Sequence, residues 1–241
     1  MDDKTKTAGM LDRIAKRIVV AIDEEGDGGG FQNMIDTENN LQEELDRAEK
    51  AGKKYILVNK FKGYWHIMAC RDFTISTKNG GNREIKKGDE GGFIGSERNL
   101  SHDGSCWVDD MSLVYGNATV TENAYIFGHA QVYGDARIHG GAAVCGRAHV
   151  CGKAEVYGDA LVADDATVYG DARVHDATVQ KGAKVYGDAD VSNVVLGDGD
   201  IISHGKIDKQ PPKNQWYRDM TSKAEKITRK LAMSREMRMM E

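Results

Sequence analysis

The dominant pattern in the chain is an aliphatic residue at every sixth position from Val108 to Val191, with one five-residue step between Val174 and Val179. Alanine stands two residues before nearly all of these positions, and glycine or aspartate two residues after most of them. In an extended segment, residues two apart point to the same side, and glycine permits a tight corner. A helix would need apolar residues three and four apart. The pattern therefore predicts short strands that turn every six residues and stack as parallel sheets.

The flanking segments have other periodicities. Apolar residues at helical spacing predict one helix over residues 11–22 and a second over residues 41–48, with the glycines of residues 26–30 as a flexible break between them. Residues 54–60 and 64–70 predict a β-hairpin. We expect this hairpin to cover the open end of the first coil, since terminal units of stacked repeats need a cap. An apolar stripe in residues 213–241 predicts a third helix.

The unit Ala-x-Val-x-Gly-x, repeated from about Cys106 to Val191, resembles the hexapeptide-repeat superfamily. That resemblance implies a left-handed parallel β-helix with three hexads in each triangular coil, and a homotrimer of parallel prisms. The predicted fold is therefore mainly β, a left-handed parallel β-helix of about five coils, flanked by an N-terminal α+β segment and a C-terminal α-helix. The predicted boundaries are 1–52 for the N-terminal helices, 53–105 for the hairpin and lead-in cap, 106–207 for the β-helix, and 208–241 for a basic amphipathic helix.

A narrower resemblance covers the residues ahead of the repeat. Residues 69–73, 87–94, 99–101 and 106–108 are similar to uncharacterised hexapeptide-repeat proteins of phage and prophage genomes. This resemblance implies a phage setting and an accessory or counter-defence role. The expected partner is a host protein or a small ligand held in clefts between prisms.

The repeat defines three outward faces, because residues one coil apart lie on the same side of the prism and the residues flanking the inward Ala and Val point outward. Face one comprises Leu113, Tyr115, Gln131, Tyr133, His149, Cys151, Thr167, Tyr169, Lys184 and Tyr186. Face two comprises Thr119, Thr121, Arg137, His139, Glu155, Tyr157, Arg173, His175, Asp190 and Ser192. Face three comprises Trp107, Asp109, Tyr125, Phe127, Ala143, Cys145, Leu161, Ala163, Thr178 and Gln180.

Face three is mostly apolar, which is typical of an interface. We expect Trp107, Tyr125, Phe127, Cys145 and Leu161 to form an oligomer interface, covered either by a symmetry mate or by the terminal helices of the same chain.

Face one carries a ladder of tyrosines interrupted at Cys151. Tyr115, Tyr133, Tyr169 and Tyr186 predict either a solvated structural ladder or a binding strip for a ligand ring or a partner peptide.

Two histidines on face two support an enzymatic alternative. Acyltransfer is the commonest activity in the superfamily that the repeat resembles, and it would use His139 or His175 as a general base with acetyl-CoA as the donor. The related enzymes usually extend a long loop from a coil, whereas the repeat here has no insertion. A γ-class carbonic anhydrase would need a third zinc-binding histidine where Gln180 stands. We therefore predict no metal, no cofactor and a non-catalytic scaffold.

Composition narrows the class further. The net charge of -5 argues against a general nucleic-acid coat, although the basic C-terminal segment leaves an RNA-binding or membrane-binding tail open beside the favoured docking on the prism. Four cysteines in 241 residues do not make a disulfide scaffold. The longest apolar run, residues 18–22, is too short to cross a bilayer. Without the layout of a signal peptide, the chain is expected to be cytoplasmic, with reduced thiols.

Overall fold

A computed structural model describes residues 30–77 and 81–209. The helices predicted for residues 11–22 and 213–241 lie outside the described residues.

One helix, α1 (Gly30–Lys50), precedes the sheets. It begins at the end of the glycine segment that was expected to be a break, and it includes the predicted second helix. Leu45 and Ala48 of its apolar stripe are buried against Ile56, Met68 and Cys70. The helix therefore packs on the outer side of the sheet that follows it.

The predicted hairpin is present as β1 (Tyr55–Phe61) and β2 (Tyr64–Ala69), which pair antiparallel. Strand β2 also pairs antiparallel with β5 (Glu90–Ile94), and β5 pairs in parallel with Leu113–Val114 of the repeat. The hairpin is thus continuous with one sheet of the repeat, which it extends beyond the first coil.

A second hairpin, β3 (Phe73–Thr77) and β4 (Gly81–Ile85), was not predicted. Its large apolar residues are few, namely Phe73, Ile75 and Ile85, which explains why the pattern gave no clear strand signal. The Phe73 ring packs edge-on to Trp107 at a centroid distance of 5.3 Å. This hairpin consequently covers the start of face three.

The repeat is a parallel β-solenoid made of three sheets, one for each face. The face-one sheet contains β5 and then Leu113–Val114, Gln131–Val132, His149–Val150, Thr167–Val168, Lys184–Val185 and Ile201–Ile202. The face-two sheet contains Thr119–Val120, Arg137–Ile138, Glu155–Tyr157, Arg173–His175, Asp190–Ser192 and Lys206–Ile207. The face-three sheet contains Trp107–Val108, Tyr125–Ile126, Ala143–Val144, Leu161–Val162, Thr178–Val179 and Val195–Leu196.

Small aliphatic side chains fill the tube. The alanines and valines of the unit, such as Ala148 and Val150, are almost all completely buried. The register pairs residues one coil apart, for example Gln131 with His149. About six coils are present rather than the predicted five, because Leu196 and Ile202 fill inward positions after the regular unit ends. The left-handed sense of the coil stays a prediction from the resemblance.

Within the part of the chain that the structure describes, no helix is long and apolar enough to cross a membrane.

Candidate functional site

The tyrosines of face one form two stacked pairs. The ring centroids of Tyr115 and Tyr133 are 5.1 Å apart with planes 11° from parallel, and those of Tyr169 and Tyr186 are 4.9 Å apart at 5°. Tyr64 of the first hairpin adds an edge-on contact to Tyr115 at 5.6 Å. All five rings are half-buried. The parallel pairing of successive coils therefore produces an aromatic surface along one side of the prism.

Two hydroxyl groups of this ladder, those of Tyr115 and Tyr133, are held in the protonated form. A hydrogen bond with the Cys151 side chain, followed by burial, raises the pKa of Tyr133 to about 12. Burial also raises the pKa of Tyr115. At neutral pH these two side chains are uncharged, and a protonated tyrosine hydroxyl is able to donate a hydrogen bond.

Face two carries a second ladder, in which Tyr157 lies between two histidines. Its ring centroid is 5.2 Å from that of His139 and 4.8 Å from that of His175, and both contacts are stacked. His139 Nε2 lies 3.3 Å from Glu155 Oε1, and His175 Nε2 lies 3.5 Å from Asp190 Oδ1. Each imidazole is thus held by a ring and a carboxylate.

The structure places the candidate histidines of the enzymatic alternatives on opposite sides of one ring. The Tyr157 ring separates His139 from His175, so the two imidazoles do not converge on one point. Gln180, at the position of the third histidine in the carbonic anhydrase comparison, follows a strand of face three rather than face two. Among residues 30–77 and 81–209, no group of three or more His, Cys, Asp or Glu side chains could hold a metal ion.

The second hairpin covers the first part of face three. Trp107 is 0% exposed and Tyr125 is 3% exposed, so neither side chain is available to a neighbouring subunit. Beside them, Asp109 is buried between Arg83 Nε at 2.7 Å and the Tyr125 hydroxyl at 2.8 Å. Burial raises the pKa of Asp109, although both of these contacts act against the rise.

Three of the predicted interface residues remain half-buried at the surface, namely Phe127, Cys145 and Leu161. Burial raises the pKa of the Cys145 thiol to about 11, so this cysteine is protonated at neutral pH. The chain's own hairpin, which was not among the predicted covers, thus accounts for part of face three. The remaining apolar surface begins beyond it.

A buried lysine–cysteine pair in the cap was missed by the sequence analysis. The Lys54 Nζ atom lies 3.1 Å from Cys106 Sγ and 3.3 Å from the Asp103 carbonyl oxygen, and both side chains are completely buried. Burial lowers the pKa of Lys54 and raises that of Cys106. The pair comes from positions far apart in the chain, and no local pattern distinguishes Lys54 from the exposed Lys53 beside it.

An open groove lies at the corner between faces three and one. It is lined by polar residues, including His129, Arg147 and His149. Arg147 Nε is already paired with Asp165 Oδ1 at 3.1 Å, and both side chains are largely exposed. The groove is therefore a solvated corner of the prism.

The fold and its three parallel sheets define a parallel β-solenoid protein. Residues 130–146 match the family model described as YdcK Beta solenoid repeat. The matched residues run through one strand of each face, so the similarity covers about one coil. A comparison with curated proteins found no match.

Proposed function

We propose that this protein is a non-catalytic β-solenoid scaffold, which associates with copies of itself through face three and binds a partner through face one. The observation that supports this most is the regularity of the described coils, because each is paired strand for strand with the next and none carries a long excursion. Such a tube holds its outward side chains at fixed spacings. It is suited to presenting a surface rather than to closing over a substrate.

Self-association is supported by the chemistry of face three beyond the hairpin. Phe127, Cys145 and Leu161 are apolar and half-buried, and Val195 in the last coil is 50% exposed. Apolar side chains aligned on successive coils form a strip that water solvates poorly, and burial of such a strip favours association. Three parallel copies are the state that the superfamily resemblance implies.

Sedimentation equilibrium tests the assembly. We expect the wild-type chain to sediment as a trimer and the double variant Phe127→Glu with Leu161→Glu to sediment as a monomer, because two carboxylates would have to be buried in the interface. The matched control, Thr119→Glu with Thr121→Glu, changes two half-buried positions of face two and should keep the trimer. A monomeric wild type, or a double variant with unchanged mass, would contradict the proposal.

The acyltransferase alternative makes a different prediction. It requires acetyl-CoA to raise the melting temperature of the wild type and to lose that effect in His139→Ala or His175→Ala. The scaffold proposal expects the melting temperature to be unaffected by acetyl-CoA in all three proteins.

The setting in a phage or prophage genome, and a host protein as partner, rest on the resemblance of residues 87–94 and their neighbouring motifs. The tyrosine ladder is the surface that we assign to that partner. A host protein captured by the wild type and not by Tyr115→Ala would support the assignment, and equal capture by both would contradict it.

A further inference from the structure

The aromatic ladder of face one is interrupted in one place. Parallel pairing aligns Val132, Val150 and Val168 on three successive coils, and the residue after each of them points outward. These outward residues are Tyr133, Cys151 and Tyr169. A cysteine therefore stands where the coils on either side carry a tyrosine.

The interruption leaves a space of defined size. Stacked rings in the ladder are 5.1 Å and 4.9 Å apart, whereas two coils at ~4.8 Å each place the backbones of Tyr133 and Tyr169 about 9.6 Å apart. The Cys151 side chain ends at its sulfur and cannot fill that interval. We call the space above Cys151, between the facing sides of the Tyr133 and Tyr169 rings, the ladder gap. Its width is that of one additional ring at the spacing of the existing stacks.

Polar groups border the ladder gap. The Cys151 thiol is half-buried and follows the inward Val150, which pairs with the Val132 before Tyr133. His149 lies two residues before Cys151, so it faces the same side and is also half-buried. A bound ring would meet two aromatic faces, and a polar substituent on it would find hydrogen-bonding groups beside it.

Face two carries a ladder of stacked rings that has no interruption. His139, Tyr157 and His175 stack on three successive coils with centroid distances of 5.2 Å and 4.8 Å. In that ladder each inner ring face already contacts its neighbour, so it leaves no space for a further ring. The ladder gap on face one is a different case.

We propose that the ladder gap is a binding site for one planar aromatic ring of a small ligand, with Tyr133 and Tyr169 as its walls and Cys151 as its floor. This inference rests on the proposed binding role of face one. It does not depend on face three, so a failure here leaves the sedimentation result unaffected.

Thiol labelling tests the site, using the ratio of the rates at which N-phenylmaleimide and N-ethylmaleimide modify Cys151. The two reagents share one electrophile, so the ratio cancels the thiolate fraction and reports what the phenyl ring gains. In a Cys145→Ser background, Cys70 and Cys106 are completely buried and Cys151 is the accessible thiol. The same rate ratio measured on glutathione, a free thiol with no rings beside it, is the reference. We expect the ratio at Cys151 to be about tenfold higher than this reference, as stacking of the phenyl group against two rings would give.

Two tyrosine variants distinguish the site from a general surface effect. Tyr169→Leu removes one wall and should lower the ratio severalfold. Tyr186→Leu, the matched control, removes a ladder ring that does not border the ladder gap and should leave the ratio unchanged. Equal ratios for Cys151 and glutathione, or equal effects of both leucine variants, would overturn the proposal.

A reversible probe removes the dependence on thiol chemistry. We expect 5-fluoroindole to bind the Cys151→Ser variant, with broadening of its fluorine NMR signal, and not to bind Cys151→Tyr, in which a side chain completes the ladder. Because added tyrosine contacts should also raise the melting temperature, a folded Cys151→Tyr protein that still binds the probe would contradict the assignment.

Discussion

The cap, residues 53–105, and the repeated coils after it are built by opposite means. The cap buries large and polar side chains, including Lys54, Tyr55 and Asn99, whereas the coils bury mainly alanine and valine. Every coil contacts another coil of nearly the same shape, but the cap must end the sheets without a further copy. The comparison shows that stacked coils can be built from a few kinds of small residue. The end of the stack, by contrast, needs specific large and polar residues.

The cap ends the sheets of the solenoid with side chains that donate hydrogen bonds to backbone carbonyl oxygens. Asn99 Nδ2 donates to the carbonyl oxygens of Gly116 and Ala118 at 3.0 Å and 2.7 Å, and the Tyr55 hydroxyl donates to that of Leu100 at 2.7 Å. Inside the repeat, the preceding coil provides such donors through its backbone, as when the Asn117 N–H donates to the Gly134 carbonyl oxygen at 2.8 Å. The cap thus satisfies buried carbonyls that would otherwise lose their partners.

The largest expected effect lies where the cap meets the first coil. Trp107 is completely buried between Tyr55 and Phe73, so Trp107→Ala should lower the free energy of unfolding by about 3–5 kcal/mol. Ile138→Val, at a buried position inside the tube, should cost only about 0.5–1.5 kcal/mol. Urea denaturation followed by circular dichroism measures both. Equal losses in the free energy of unfolding for the two variants would contradict the expected difference between the cap and the coils.

A smaller effect on the free energy of unfolding is expected from glycine-to-alanine changes at the corners of the coils. It should depend on whether the corner lies against the next coil. Gly152 and Gly182 both have positive φ, +69° and +72°, but a Cβ on Gly152 would lie 2.9 Å from the Gly170 nitrogen, while a Cβ on Gly182 meets nothing within 4 Å. Gly182→Ala should therefore cost only the conformational penalty of about 1–2 kcal/mol. Gly152→Ala should cost more, about 2–4 kcal/mol in all, because the next coil must also shift. The same urea titration compares them, and a cheaper Gly152→Ala would show that the corners are not tightly stacked.

The smallest effect concerns the buried amine of the cap. Because burial lowers the pKa of Lys54, the unfolded chain binds the extra proton between the folded value and 10.5, and wild-type stability rises with pH across that interval. Lys54→Met should be more stable than the wild type by about 1 kcal/mol at pH 7, and this advantage should shrink as the pH approaches 10.5. Lys54 lowers the pKa of the Cys106 thiol against the effect of burial, so its loss raises that pKa further and makes the advantage shrink more at high pH.

Unfolding curves at several pH values would measure this difference. Lys53→Met serves as the matched control, since Lys53 is adjacent but exposed and paired with Glu97 at 2.8 Å. An advantage of Lys54→Met that is constant with pH would mean that Lys54 is not desolvated as the structure indicates.

The same contrast explains what the sequence could predict. The faces followed from spacing alone, because each inward valine fixes the orientation of its neighbours, and Tyr133 and Cys151 were correctly placed on face one. The hairpin of β3 and β4 and the Lys54–Cys106 contact could not be predicted, because they depend on residues distant in the chain that follow no period. The predicted range 106–207 included the last coil, but the count of about five coils did not, because residues 193–207 no longer follow the alanine-valine unit.

The way in which one coil repeats the next has an evolutionary consequence. Since each coil pairs with its neighbours through the same register, duplication or loss of a whole coil would leave every remaining contact intact. The separation between the capped end and the opposite end can thus change in increments of one coil, without redesign of either end. Lineages that need a longer or shorter spacer could obtain one by a single in-frame duplication or deletion.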